Sequence, residues 1–215
     1  NKGTSTIMMV IFDDTSSGEG TMDAITQLRN LTQKQCYISG ISAIVTDTKV
    51  LVEQEMFIYV CIAALVSIVV LSLLMDSYLI SIFFMLSIGM AIIYNLGSNF
   101  VVGEISYLTK ALAAVLQLGV TMDYSIFLWH SFEEELEKHD GDSKSAMANA
   151  IAATISSVVS SSITTVAGFI ALCFMSFTLG LDLGIVMAKG VVIGVICCVT
   201  ILPALILVFD KPIEK

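Results

Sequence analysis

Charge is scarce in this 215-residue chain: 13% of its residues are Asp, Glu, Lys or Arg, while 56% are hydrophobic. A soluble domain carries about twice that charged share, so a soluble globular fold is excluded. Basic residues are scarcer still, 10 against 19 acidic ones. The net charge of −9 argues against a nucleic-acid partner. There is no zinc-binding histidine pair and no glycine-rich phosphate loop, so the usual hydrolase signatures are missing. The five cysteines, Cys36, Cys61, Cys173, Cys197 and Cys198, show no metal-ligand spacing. Four lie in apolar runs and read as small core residues. Neither a signal peptide nor a start Met precedes Asn1, so the chain is expected to be a piece of something longer.

What the chain has in quantity is apolar sequence, with a mean hydropathy of +0.90. Met56–Met75, Ser77–Gly103, Ser145–Leu181 and Gly190–Phe209 are free of charge. Crossing a bilayer takes about 20 apolar residues. The expected fold class is therefore mainly α, a polytopic helical membrane protein with five transmembrane helices. The spans fall at about 56–75, 78–96, 111–132, 156–177 and 185–208. Asp76–Ser77 reads as a very short turn, Gly141 as a helix stop, 146–155 as an interfacial helix and 178–184 as a loop.

Residues 1–55 differ in composition. Thr4–Phe12 reads as a strand, and Thr21–Leu31 as a helix with Met22, Ile25, Leu28 and Leu31 on one face. Cys36–Ser42 reads as a second short strand, and Ala43–Glu55 as a helix running into the membrane. So small an N-terminal α/β segment cannot bury a core alone. It is expected to pack on sequence outside this chain. Lys138, Lys144, Lys211 and Lys215 outweigh Lys49, Lys110 and Lys189 across the spans. That bias puts the C-terminus in the cytoplasm and residues 1–55 outside.

One stretch stands out: Gly119–Leu136, GVTMDYSIFLWHSFEEEL, an apolar span with Asp123 at its middle. A carboxylate at the bilayer centre costs roughly 3 kcal/mol on insertion scales. Asp123 is either a structural aspartate hydrogen-bonded inside the bundle or a titratable group that couples a proton to movement. Apolar surroundings favour its protonated form. Tyr124 is either a core aromatic or a partner that donates to the anion and accepts from the acid. His130, seven residues on, lies on nearly the same face and about 10 Å along the axis. It reads as an interfacial residue or as an exit step for a proton. On the fourth span Ser157, Ser161, Thr164, Thr165 and Gly168 make a stripe of small residues at helical spacing. Such a stripe permits close packing, and Ser161, Thr164 and Thr165 are candidates to solvate Asp123. Gly190 and Gly194 stand at GxxxG spacing. Lys189 is expected to snorkel outward, and Asp182 to sit at a turn.

GVTMDYSIFLWHSFEEEL resembles the fourth transmembrane helix of the resistance-nodulation-division superfamily, in particular its MMPL branch. SSSITTVAGFIAL (Ser160–Leu172) and DLGIVMAKGVVIGVICCVTILPALILVFDK (Asp182–Lys211) are similar to the helices that follow, in the same order and spacing. Met122 and the Trp129–His130 pair depart from the pattern without touching Asp123 or Tyr124. The sibling SecD/SecF segment reads Val-Asp followed by a small residue, so Tyr124 favours MMPL.

The resemblance implies that residues 1–55 close an extracytoplasmic porter domain and that the five spans match helices two to six of one half-repeat. It implies a proton-driven exporter of lipids or other amphiphiles in the plasma membrane, not an enzyme. Asp123 and Tyr124 would form its proton relay, protons would be the coupling ion, and no cofactor or metal is needed. Its partners would be membrane lipids, the amphiphilic substrate, and a second half-repeat or partner subunit. The competing readings are a SecD/SecF-like protein-export auxiliary and a non-transporting sensor or assembly partner with the same fold.

Overall fold

The structure is a computed structural model that describes residues 6–32, 36–75, 78–101, 105–139 and 142–209. The expected turn at Asp76–Ser77 and the stop at Gly141 lie outside the described residues. Internal contacts group the chain into two units, Asn1–Glu55 and Met56–Lys215.

In the first unit, helix α1 (Glu19–Thr32) buries Thr21, Met22 and Ile25. Helix α2 (Ile41–Leu74) starts just after Gly40, whose φ of 132° is a conformation that side chains disfavour. The Arg29 guanidinium forks onto the Asp47 carboxylate, with Nη2 2.8 Å from Oδ2. The two expected strands are absent: residues 6–12 and 36–40 carry none, and no strand occurs among the described residues. Ile7, Met8, Met9 and Ile11 are more than four-fifths exposed. β-Branched composition favours a strand only where a second strand completes the ladder, and no described segment supplies one.

Among the described residues, five helices are long and apolar enough to cross a membrane. They are α2, α3 (Tyr78–Gly97), α4 (Tyr107–Lys138), α5 (Ser143–Leu172) and α6 (Thr178–Val208). A 3₁₀ turn, Ser98–Val101, follows α3. Boundaries differ from expectation in the second half. The interfacial segment and the fourth span are one helix, α5, which stops at Leu172; α6 starts at Thr178 with no loop at 178–184. Asp182 is therefore a helical residue and not a turn residue.

Between lipid-embedded helices apolar burial drives little association, so close packing and hydrogen bonds carry it. α6 is the centre of that packing, set against α3, α4 and α5. Gly190 and Gly194 make the expected close approach: a Cβ at 194 would lie 2.7 Å from Thr121 Oγ1 of α4. Below them, Cys197 and Cys198 are buried as expected and Cys173 is half-buried, but Cys61 is exposed. The span of α2 is nearly bare, anchored near its end by buried Leu71 and Met75.

Lys189 does not snorkel outward. Its Nζ donates to the Asn95 carbonyl at 3.1 Å and to Asn99 Oδ1. Asn95 lies in the last turn of α3, where carbonyls lack intrahelical partners and the helix dipole is negative. Lys189 thus caps α3 from a neighbouring helix.

Candidate functional site: a groove between α4 and α5

α4 is held at its start by two side chains. Ser106 accepts from its own helix at Leu108 N, 3.3 Å. Asp182 of α6 accepts from Ser106 N at 2.7 Å and from Thr109 Oγ1 at 3.5 Å, a carboxylate placed at the positive end of a helix. From there a buried stripe runs down α4 at every fourth residue: Thr109, Ala113, Gln117, Thr121 and Ser125. Ser125 Oγ donates to the Thr121 carbonyl at 3.3 Å.

Asp123 is the seventeenth of the 32 residues of α4, at mid-helix. Its position, two residues after Thr121, turns it about 160° away from the buried stripe. It opens onto a groove of about 390 Å³ that α4 lines with Val120, Asp123, Tyr124 and Phe127, and α5 with Ser157, Val158, Ser161 and Thr165. The sequence-based expectation was an acid shielded within the bundle; in this chain Asp123 is exposed along the open groove. Among the described residues no hydrogen bond or ion pair reaches its carboxylate. At this level α5 presents Ser157, Val158, Ser161 and Thr165 to the groove.

Tyr124 has both characters left open by the sequence. It is 6% exposed and packs in the apolar core with Leu128, Trp129 and Phe132, and it also lines the groove beside Asp123. The five hydroxyls at 157, 160, 161, 164 and 165 of α5 divide into two sets. Ser160, Thr164 and Thr165 donate to carbonyls four residues back, at 2.8, 3.2 and 3.1 Å. Those of Ser157 and Ser161 make no hydrogen bond among the described residues, so they remain free donors in the groove. Thr164 is exposed and does not line it, which separates it from Ser161 and Thr165. His130 lies outside the groove, exposed, with Nδ1 3.3 Å from Glu133 Oε2.

A second polar set escaped the sequence reading. Asn95, Gln117 and Lys189 come together between α3, α4 and α6: Asn95 Nδ2 donates to Gln117 Oε1 at 2.8 Å, and Gln117 Nε2 to the Gly190 carbonyl at 3.2 Å. The available signal was two amides inside or at the edge of apolar runs, where an unpaired polar group is costly.

At the far end of α4 the hairpin is tied by short-range bonds. Asn149 Nδ2 lies 2.9 Å from His139 Nε2, whose Nδ1 lies 2.9 Å from the Glu135 carbonyl. The Ser145 hydroxyl donates to Asp142 Oδ2 at 2.6 Å and holds that carboxyl below the usual range.

The sequence profile of the MMPL family matches residues 6–211. The chain belongs to the MMPL family. Relatives agree with that placement. ActII-3 of Streptomyces coelicolor, named as a membrane protein, is 32% identical over 126 residues, 59% of this chain and 17% of that protein. SCO0839 of the same organism is 31% identical over 133 residues, 62% of this chain and 19% of its own length. MJ1562 of Methanocaldococcus jannaschii is 36% identical over 98 residues, 46% and 25% of the two chains. Both are likewise named as membrane proteins. This MMPL chain thus spans about a fifth of the length of the curated relatives it matches. No solved structure matches it. Together with the five long apolar helices, the family makes this a multi-pass membrane protein.

Proposed function

We propose that this MMPL chain is part of a proton-motive-force-driven exporter of lipids or other amphiphilic small molecules, in which Asp123 and Tyr124 form the proton relay. The observation that carries the reading is an acid at mid-span, adjoining a tyrosine, on a groove with two free serine hydroxyls. Ionised, Asp123 only accepts hydrogen bonds, and Ser157, Ser161 and Tyr124 are the donors at hand. Protonated, it gains a donor and loses the charge that makes its burial costly. The two states therefore favour different packings against whatever covers the groove. That cover is a second half-repeat or a partner subunit, with residues 1–55 outside and the protein in the plasma membrane. Protonation then drives a rocking of one repeat against the other, which gives alternating access.

Proton-gradient-driven transport by the full-length protein with Asp123→Asn is the test. The neutral side chain keeps the shape and loses titration, so coupled transport is expected to stop while the protein still assembles. Transport at the wild-type rate would remove the relay.

A further inference from the structure

An amide in the middle of an apolar helix is retained where its polar atoms find partners. Gln117 is 1% exposed and stands six residues before Asp123 on α4. Both ends of its amide are engaged, by Asn95 of α3 at 2.8 Å and by the Gly190 carbonyl of α6 at 3.2 Å. The space is made for it: a Cβ at Gly190 would lie 2.5 Å from Asn95 Nδ2 and 3.1 Å from Gln117 Oε1. Apolar contacts tolerate sliding of one helix along another; an amide bonded to a buried side chain of one helix and a backbone carbonyl of another does not. A slip of one turn, about 5.4 Å, breaks both bonds and carries Asp123 past Ser157 and Ser161. On the opposite side, no hydrogen bond joins α4 to α5 along the groove among the described residues. Among the described residues, α5 brings Ser157, Val158, Ser161 and Thr165 there, and the titratable group beside Asp123 on the groove is Tyr124 of α4 itself. Among the described residues, no charged side chain lines the groove opposite Asp123.

We propose that Gln117 is a positioning residue, which ties α4 to α3 and α6 and so sets the height of Asp123 against the hydroxyls of α5. The proposal rests on the proton-relay reading for its significance, but the property it concerns is the register of α4.

The test uses full-length protein in liposomes and two readouts. The first is the disulfide yield between Val120→Cys and Ser161→Cys, on opposite walls of the groove, with the five native cysteines replaced. The second is the pH profile of Asp123 labelling by dicyclohexylcarbodiimide, which reacts with the protonated acid. Gln117→Leu keeps the volume and removes both bonds. It is expected to lower the disulfide yield severalfold and to move the labelling midpoint by about half a pH unit, about threefold in the protonated-to-ionised ratio. If Gln117→Leu does not assemble, Gln117→Asn is read in the same way, its shorter amide reaching one of the two partners. A folded variant with unchanged yield and midpoint overturns the proposal. Wild-type labelling that does not vary with pH removes the relay reading instead, and the disulfide yield alone then decides the positioning role.

Discussion

Gly184 and Gly89 offer a matched pair of glycine-to-alanine substitutions with opposite expected signs. A Cβ at 184 would lie 2.6 Å from the Phe169 carbonyl oxygen and 2.6 Å from Cys173 Sγ, with Cys173 N at 3.3 Å. Ordinary contact begins near 3.4 Å, so the two helices would have to part by about 0.8 Å. A backbone carbonyl cannot swing aside, and the short turn between Leu172 and Thr178 ties α5 to α6 at this point. Overpacking of this kind costs about 1–3 kcal/mol. Alanine recovers about 1 kcal/mol of helix propensity. The net expectation for Gly184→Ala is a loss of about 1–2 kcal/mol, from the upper part of the overpacking range. At Gly89 of α3 nothing lies within 4 Å, so only the backbone gain remains and Gly89→Ala stabilises by about 0.5–1 kcal/mol. The difference between the variants is about 2 kcal/mol, about thirtyfold in the folding equilibrium. Reversible unfolding in mixed micelles by SDS titration measures it, with far-UV circular dichroism and the fluorescence of the single tryptophan as probes. Trp129 is a suitable reporter, being buried between Phe84 and Phe132. A Gly184→Ala protein as stable as wild type would refute the close-packing account of α6.

Other expectations follow from the polar contacts. Lys189→Met removes the cation that caps α3; a hydrogen bond to a charged group is worth about 1.5–3 kcal/mol, and partial exposure reduces the expected loss to about 1–2 kcal/mol on the same SDS titration. Arg29→Ala breaks an exposed forked pair and should cost no more than about 1 kcal/mol, falling further at high salt, as read by thermal unfolding at two ionic strengths. Ser145→Ala removes the donor that holds the Asp142 carboxyl low, so its titration, followed by NMR, should move up toward the ordinary aspartate range. Because the folded-state value is depressed, the Ser145 contribution is present above the unfolded-state pKa of about 4 and vanishes as the pH falls through the folded one. Wild type and Ser145→Ala should therefore differ in stability at neutral pH and converge in acid.

Composition and run length alone determined the five helices, among the described residues, that are long and apolar enough to cross a membrane. The lipid core has no partner for an open backbone, so a long apolar run has one spanning conformation. The oddity of Asp123 and the likeness of its segment to the MMPL helix were equally plain, since both are local. Faces were another matter. A helix that is apolar all round has no periodicity to say which side packs, and tertiary structure alone placed Asp123 on an open groove, separated Thr164 from Ser161 and Thr165, and turned Lys189 inward. The decisive bonds join residues 73 to 94 positions apart, Gln117 to Gly190 and Lys189 to Asn95. The strands expected in residues 1–55 failed for the same reason in reverse: a strand is completed by a partner, and composition names the candidate without supplying the neighbour.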